Sequence, residues 1–223
     1  ALLNAYRRDA VSRGAQVLVG SPVVAARVTN AGIDVDVGGS DPATVRCRTL
    51  VNAAGLRAPR VARAIAGLDP ATVPTAYYAK GHYFVLSGAS PFARLVYPMP
   101  VPGGLGVHVT LDLAGRTRFG PDVSWVDDVD YSFDESRAAS FYEAIRRYFP
   151  SLPDGALSPG YAGIRAKLGP AGSPAQDFVL QGPAAHGVAG LVNLYGIESP
   201  GLTASLAIAD EVAGMLGALL GLD

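Results

Sequence analysis

The residue types and spacings able to do chemistry fall in a few short stretches. In "YAGIRAKLG" Arg165 and Lys167 stand two residues apart on a strand-like run, so both face one side. Two cations on one face attract a carboxylate, and the guanidinium fork can hold it through parallel hydrogen bonds. A solvated basic edge that blunts strand pairing explains the same spacing equally well. "GVHVT" puts His108 at an alternating position of a second strand-like run. Imidazole titrates near neutral pH and suits a proton acceptor, although a lone histidine is more often a packed structural residue. "KGHYF" adds Lys80 and Tyr83, and "YPMP" adds Tyr97, on the same expected sheet, with roles the residues alone leave open. His82, His108 and His186 lack HxxxH or HExxH spacing and have no cysteine partners, so no metal site is expected. No GxSxG elbow occurs, and hydrolase chemistry gets no positive signal.

Two turns complete the candidates. "LVNAAG" ends an apolar run with Ala53, Ala54 and Gly55, residues too small to block close approach of a nucleotide's ribose or pyrophosphate. Tight strand-to-helix packing accounts for them equally well. "NLYGIESPGLTASLAIADEV" reads as a strand, a turn and a helix start, with Ser199 as N-cap, Pro200 at the first helical position and Thr203 beginning the apolar helix. A helix N-terminus suits an anion or an electron-rich carbonyl; an ordinary capped helix is the even alternative. Glu198 is left without a role.

These residues need elements to hold them. Leu2 to Arg13 reads as a helix closed by Gly14. "QVLV", "VVAARV", "GIDVDV" and "TVRCRTLVNAAG" read as short strands of a hairpin-rich segment. Thr49 to Ala53 is apolar enough for a strand covered on both faces, and "RAPRVARAIAG" reads as a helix closed by Gly67. From Val73 the aromatic and β-branched runs "TAYYAKGHYFVLS", "ARLVYPMP", "LGVHVTLDL" and "RTRFGP" predict a substantial antiparallel sheet. "SFDESRAASFYEAIRRYFP" predicts a helix capped at Ser132 or Asp134 with Phe141, Ile145 and Phe149 on one face. "DFVLQG" and "GLVNLYG" return to buried strands before a last helix. The fold class expected is mixed α/β, with residues 73–170 inserted between 1–72 and 171–223.

The chain has 223 residues, 49% hydrophobic and 17% charged, with a formal net charge of -1. Nothing here drives it electrostatically toward nucleic acid or an anionic membrane. Cys47 is the lone cysteine, which fits a reducing compartment, by default the cytoplasm, either free or peripheral to a membrane. The C-terminal apolar run contains Asp210, Glu211 and several glycines, so a buried helix is expected there and no transmembrane segment. The first residues lack Met and start inside an amphipathic helix, so the sequence reads as the later part of a longer chain.

In order, "GAQVLVGSPVVAARV", "LVNAAGLRAPRVA", "KGHYF", "YPMPVPGGLGVHVTLDLAGRTRFGPD", "GIRAKL" and "NLYGIESPGLTASLAIADEV" resemble the D-amino-acid-oxidase-like (DAO) superfamily of FAD-dependent oxidoreductases, in particular its L-2-hydroxyglutarate dehydrogenase/oxidase branch. The resemblance implies part of a discontinuous Rossmann-like FAD domain with a substrate domain inserted on a large mixed or antiparallel sheet. The GxGxxG segment is absent from this sequence. The resemblance further implies non-covalent FAD, with Val23 at adenine, Ala53, Ala54 and Gly55 at the ribose and pyrophosphate, and Ser199, Pro200, Gly201, Leu202 and Thr203 at the flavin ring. It implies oxidation of a small 2-hydroxy acid, with His108 as base and Arg165, assisted by Lys80, Tyr83 or Lys167, as carboxylate anchor. The electron acceptor would be oxygen, a quinone or a carrier protein. Amine oxidation of the glycine-oxidase kind is the alternative within the fold, and a catalytically silent binding domain is the alternative of another class.

Overall fold

The structure, a computed structural model, describes residues 2–99 and 106–221. The stretch 100–105 of the "YPMPVPGGLGVHV" motif lies outside the described residues. Helix α1 (Leu2–Ser12) is followed by strands β1 (Val23–Thr29), β2 (Gly32–Val37), β3 (Ala43–Cys47) and β4 (Leu50–Asn52), then helix α2 (Ala58–Arg63) and β5 (Ile65–Ala66). The middle of the chain forms β6 (Tyr77–Leu86), β7 (His108–Leu111), β8 (Thr117–Gly120), β9 (Ser124–Val126), α3 (Ala138–Arg146) and the long β10 (Leu157–Lys167). Last come β11 (Val179–Gln181), α4 (Pro183–His186), β12 (Leu191–Tyr195) and α5 (Ser205–Leu220).

The strands make three sheets among the described residues. Order β3-β2-β1-β5 is antiparallel except where β5 runs parallel to β1. Order β11-β12-β4 holds the parallel pair β12 and β4, joined in register at Asn193 and Asn52. The sheet of the middle region, β10-β6-β8-β7 with β9 also on β6, is antiparallel throughout. A core shared by Ala26, Ile33, Ala62, Ile65, Leu191 and Tyr195 joins the first and last stretches of the chain. A separate core of Phe84, Val109, Phe119, Phe141, Ile145 and Leu152 fills the space between the large sheet and α3. Sequence-distant pieces therefore share one layer, and the middle of the chain has its own interior.

Several elements differ from the sequence expectation, each for a local reason. "QVLV" forms no strand; Val17, Leu18 and Val19 are exposed and have no strand beside them among the described residues. "TVRCRTLVN" is two strands, because β3 pairs with β2 whereas β4 pairs with β12 in another sheet. Val51 of β4 is 40% exposed, so that strand is covered on one face only. The helix after Gly55 is cut to six residues, and Ile65 and Ala66 extend instead beside β1. "ARLVYPMP" contributes an isolated bridge, Val96 to Val109. Helix α3 follows a turn of 3₁₀ helix capped by the Asp134 carboxylate, which accepts from Ser136 N. Phe141 and Ile145 are buried as the spacing predicts, and Phe149 packs on them from beyond the helix end.

Candidate functional site

Strand alternation sorts the predicted residues onto the two faces of the large sheet. Pairing sets Tyr161 opposite Tyr83, Arg165 opposite Ala79, Arg118 opposite Val85, and His108 opposite Gly120. Directly opposed residues share a face, so His108, Tyr83, Tyr161, Arg118, Arg165 and Lys167 all stand on one side. Lys80 and His82 alternate with these along β6 and stand on the other side, with Phe84 and the phenylalanine core. There Lys80 Nζ donates to Asp130 Oδ2 at 3.1 Å and to Ser132 Oγ at 3.2 Å. His82 is buried, with Nδ1 3.1 Å from Asp122 Oδ1 and its ring edge against Phe133. The expected help from Lys80 at the carboxylate anchor is thereby corrected, since its ammonium is held through the sheet from Arg165.

On the polar face, Tyr97 stacks on the His108 ring with centroids 4.5 Å apart, and Tyr83 stacks on Tyr161 at 4.6 Å. His108 is 6% exposed, and its Nδ1 lies 3.3 Å from Gly106 O. A carbonyl only accepts, so that contact puts the proton on Nδ1 and leaves the lone pair on Nε2. Burial pushes the His108 pKa down; the Gly106 carbonyl opposes this, and the Arg165 charge adds to the lowering. The imidazole is therefore neutral at pH 7. Tyr83 is pushed up to about 12, by burial first and by Tyr161 next, so it acts only as a protonated phenol.

Arg165 and Lys167 lie on β10, an edge strand, and both reach one internal carboxylate. Arg165 Nη1 donates to Glu198 Oε2 at 3.1 Å and Lys167 Nζ to Glu198 Oε1 at 2.6 Å. Glu198 is thus the tie between the sheet edge and the turn after β12. Arg165 uses one nitrogen in this contact, and its side chain is 35% exposed, which leaves the rest of the fork available. Between Tyr161 and Arg165 on the same face, a side chain at Gly163 would meet open space. The face is therefore open above Gly163, between aromatic rings on one side and a cation on the other, while Pro121 closes it over the neighbouring Gly81.

The two turns also come together. Because β4 and β12 are parallel neighbours, Ala53, Ala54 and Gly55 and the turn through Thr203 leave the same, C-terminal, edge of that pair. Asn52 shapes the first turn: its side chain donates to Ala58 O at 2.8 Å and to Asn193 Oδ1 at 2.9 Å, and its Oδ1 accepts from Ala54 N. Gly55 has φ +58 with open space where a side chain would be, a conformation that favours glycine. Ile197 to Thr203 lines an open cleft. Here the helix-start expectation is corrected. Helix α5 begins at Ser205 with Ala204 at its N-cap and no side-chain cap, so Ser199 is not the cap and Pro200 is not helical. Residues 200–204 are turns instead, braced by Thr203 Oγ1 on Pro200 O and Ser205 Oγ on Leu202 O. Gly201 is required there, since a Cβ would stand 2.5 Å from Ile197 and 2.7 Å from Glu198 O. Val23 is placed apart from these turns in sheet order, as the exposed first residue of β1.

Sequence reasoning missed Arg118, Tyr161 and the roles of Tyr97 and Glu198. Arg118 shares its parity with Arg116 in "RTRFG", but only the pairing with β6 and β7 shows which face it occupies.

The profile of the family described as "DAO: FAD dependent oxidoreductase" matches residues 1–215. Over 177 residues the chain is 56% identical to "L-2-hydroxyglutarate dehydrogenase, mitochondrial" of Arabidopsis thaliana, covering 74% of this chain and 36% of that protein. It is 26% identical over 215 residues to "Glycerol 3-phosphate dehydrogenase" of Caloramator mitchellensis, covering 95% of this chain and 42% of that one. The chain thus spans well under half the length of these two relatives. Among solved structures, L-alpha-glycerophosphate oxidase from Mycoplasma pneumoniae matches with a TM-score of 0.78 at 23% identity, over 93% of this chain and 53% of that one. Glycine oxidase from Geobacillus kaustophilus matches at 0.74 and 18%, over 96% and 53%. These similarities give the fold. The cytoplasmic expectation gains nothing from the plant relative, whose name is mitochondrial; among the described residues no helix is long and apolar enough to cross a membrane. With a family profile matching nearly its whole length, the chain belongs to the DAO family of FAD-dependent oxidoreductases.

Proposed function

We propose that this chain carries the substrate face and part of the FAD site of an enzyme that oxidises a small 2-hydroxy acid, with L-2-hydroxyglutarate to 2-oxoglutarate the favoured reaction. The observation that carries the reading is a neutral His108 with a free Nε2 lone pair on the same sheet face as Arg165. The 56% identity to a plant L-2-hydroxyglutarate dehydrogenase supports the choice of substrate. In this reading residues 73–170 are the substrate domain, and 1–72 with 171–223 belong to the FAD domain, as their shared core supports.

The residues present fit FAD, bound non-covalently. Ala53 and Ala54 are exposed and small, open space lies over Gly55, and the Ser199–Thr203 turn opens a cleft from the neighbouring parallel strand. Val23 would meet the adenine through its backbone. When bound, FAD supplies the acceptor for the hydride that leaves the substrate Cα. His108 Nε2 takes the hydroxyl proton as the carbonyl forms. Arg165 holds the adjacent carboxylate with the part of its fork that Glu198 leaves unused. The Tyr83 phenol, protonated throughout the working range, donates a hydrogen bond and takes no proton. Tyr97, stacked on His108, fixes the ring plane and screens it from water. Oxygen, a quinone or a carrier protein would accept the electrons, in a reducing compartment.

A substrate panel on the FAD-loaded protein tests this. L-2-hydroxyglutarate should bleach the flavin absorbance anaerobically, and glycine, sarcosine and D- or L-amino acids should not. Bleaching by amines alone would replace the reading with amine oxidation.

A further inference from the structure

Arg118 is a cation on the substrate face for which the reaction above has no use. It lies on β8 between Val85 of β6 and Thr110 of β7, one step along the strands from the row formed by Tyr161, Tyr83, Gly120 and His108. That step is two residues, ~7 Å at about 3.4 Å per residue, whereas Arg165 lies four residues, ~14 Å, from the same row in the opposite direction. The guanidinium leans back toward the row, because its Cζ sits 5.6 Å from the centroid of the Tyr161 ring. From the other end, the Arg165 charge is near enough to act on both Tyr83 and His108. The two arginines thus converge on the open floor over Gly163 and the tyrosine pair.

The bonding of Arg118 leaves capacity for a ligand. Its Nη2 donates to Asp112 Oδ2 at 3.2 Å, but that oxygen also accepts from Arg116 Nε at 2.8 Å. Two guanidinium groups share one carboxylate, so a net positive charge stays at this end of the face. Arg118 Nε is buried and has no hydrogen-bond partner among the described residues. A sealed-in Nε cannot reach a ligand, but the side chain is 31% exposed and Nη1 has no acceptor among the described residues, so the outer edge of the fork can take a bound anion. At the other end, Glu198 already cancels one of the two charges of Arg165 and Lys167. Each end therefore offers one net positive charge, and the pair matches a short diacid better than a monoacid.

We propose that Arg118 is the second carboxylate anchor of this face: it faces Arg165 across the Tyr83–Tyr161 stack and makes the site select dicarboxylic over monocarboxylic 2-hydroxy acids. The proposal rests on the oxidation reading above and specifies its substrate class. A site built around a charged partner discriminates strongly against a ligand that leaves it unpaired.

The test compares kcat and KM for L-2-hydroxyglutarate and L-2-hydroxybutyrate in the FAD-loaded protein, unsubstituted and as Arg118→Met and Arg118→Lys. Arg118→Met should raise KM for the diacid at least tenfold with kcat within about threefold, and change kcat/KM for the monoacid less than twofold. Arg118→Lys, which keeps the charge without the fork, should fall between. An unchanged diacid KM, or an equal loss for both acids, would overturn the assignment. Calorimetric titration with glutarate and butyrate, neither of which has a hydroxyl to oxidise, separates this claim from the reaction. If no 2-hydroxy acid is turned over, the proposed function fails. Arg118 still stands if Arg118→Met weakens glutarate at least tenfold and spares butyrate, and falls if glutarate binds both proteins alike.

Discussion

The two faces of the large sheet are built from the same strands and do opposite work. On one, Phe84, Val109 and Phe119 pack against Phe141 and Ile145 of α3, all but sealed from solvent. On the other, His108, Arg118, Tyr161 and Arg165 stand without a covering helix among the described residues. Even the polar residues divide this way. Lys80 and His82, on the packed face, are bonded to Asp130 and Asp122, while Arg165 and Arg118 each keep part of the guanidinium unspent. A sheet lets one residue step separate a structural charge from a ligand-binding one.

The largest effect expected from breaking this division is on the packed face. Phe119→Ala, at a site with 0% exposure, should cost about 3–5 kcal/mol of stability, read as a fall in urea midpoint, and a loss below 1 kcal/mol would mean that the face is not a tight core. Next comes Arg165→Met, which removes charge-assisted hydrogen bonds valued at about 1.5–3 kcal/mol. It should raise substrate KM roughly tenfold or more while the urea midpoint barely moves. The same substitution sharpens the view of His108: without the Arg165 charge the ring pKa should rise, measured by NMR titration.

In the unsubstituted protein the neutral ring is the active form, so kcat/KM should climb with pH and level off above a midpoint below 6.5. Because the folded value is the lower one, the unfolded chain binds more protons in this range. The contribution of His108 to stability is then complete above 6.5 and is lost as pH falls through the folded value. The smallest effect is expected from Lys80→Met, with kcat and KM within about twofold, since the ammonium stands on the packed face. A tenfold loss of kcat with normal flavin content would undo the separation of faces.

The antiparallel sheet, α3 and the flanking α/β pieces were legible because their signals are local: alternation, helical spacing and the Asp134 cap. What escaped depended on pairing between distant segments. "TVRCRTLVN" looks like one strand until its halves find β2 and β12, and no periodicity in "KGHYF" tells which of Lys80 and Tyr83 will meet the helix. Arg165 and Lys167 were legible as a same-face pair. Their joint bond to Glu198 was not, because it links β10 to a residue more than thirty positions on, in the turn after β12. At "ESPGLT" the N-cap is Ala204 and not the Ser199 that the composition suggests. Ser and Pro there satisfy the composition of a cap, while the chain continues through turns before α5 begins.

In the proposed reaction His108 takes the substrate proton on the open face. In the FAD-loaded protein, His108→Ala should lower kcat for L-2-hydroxyglutarate by about 10²–10⁴, with flavin content unchanged and KM within a few-fold. Turnover equal to that of the unsubstituted protein would contradict it.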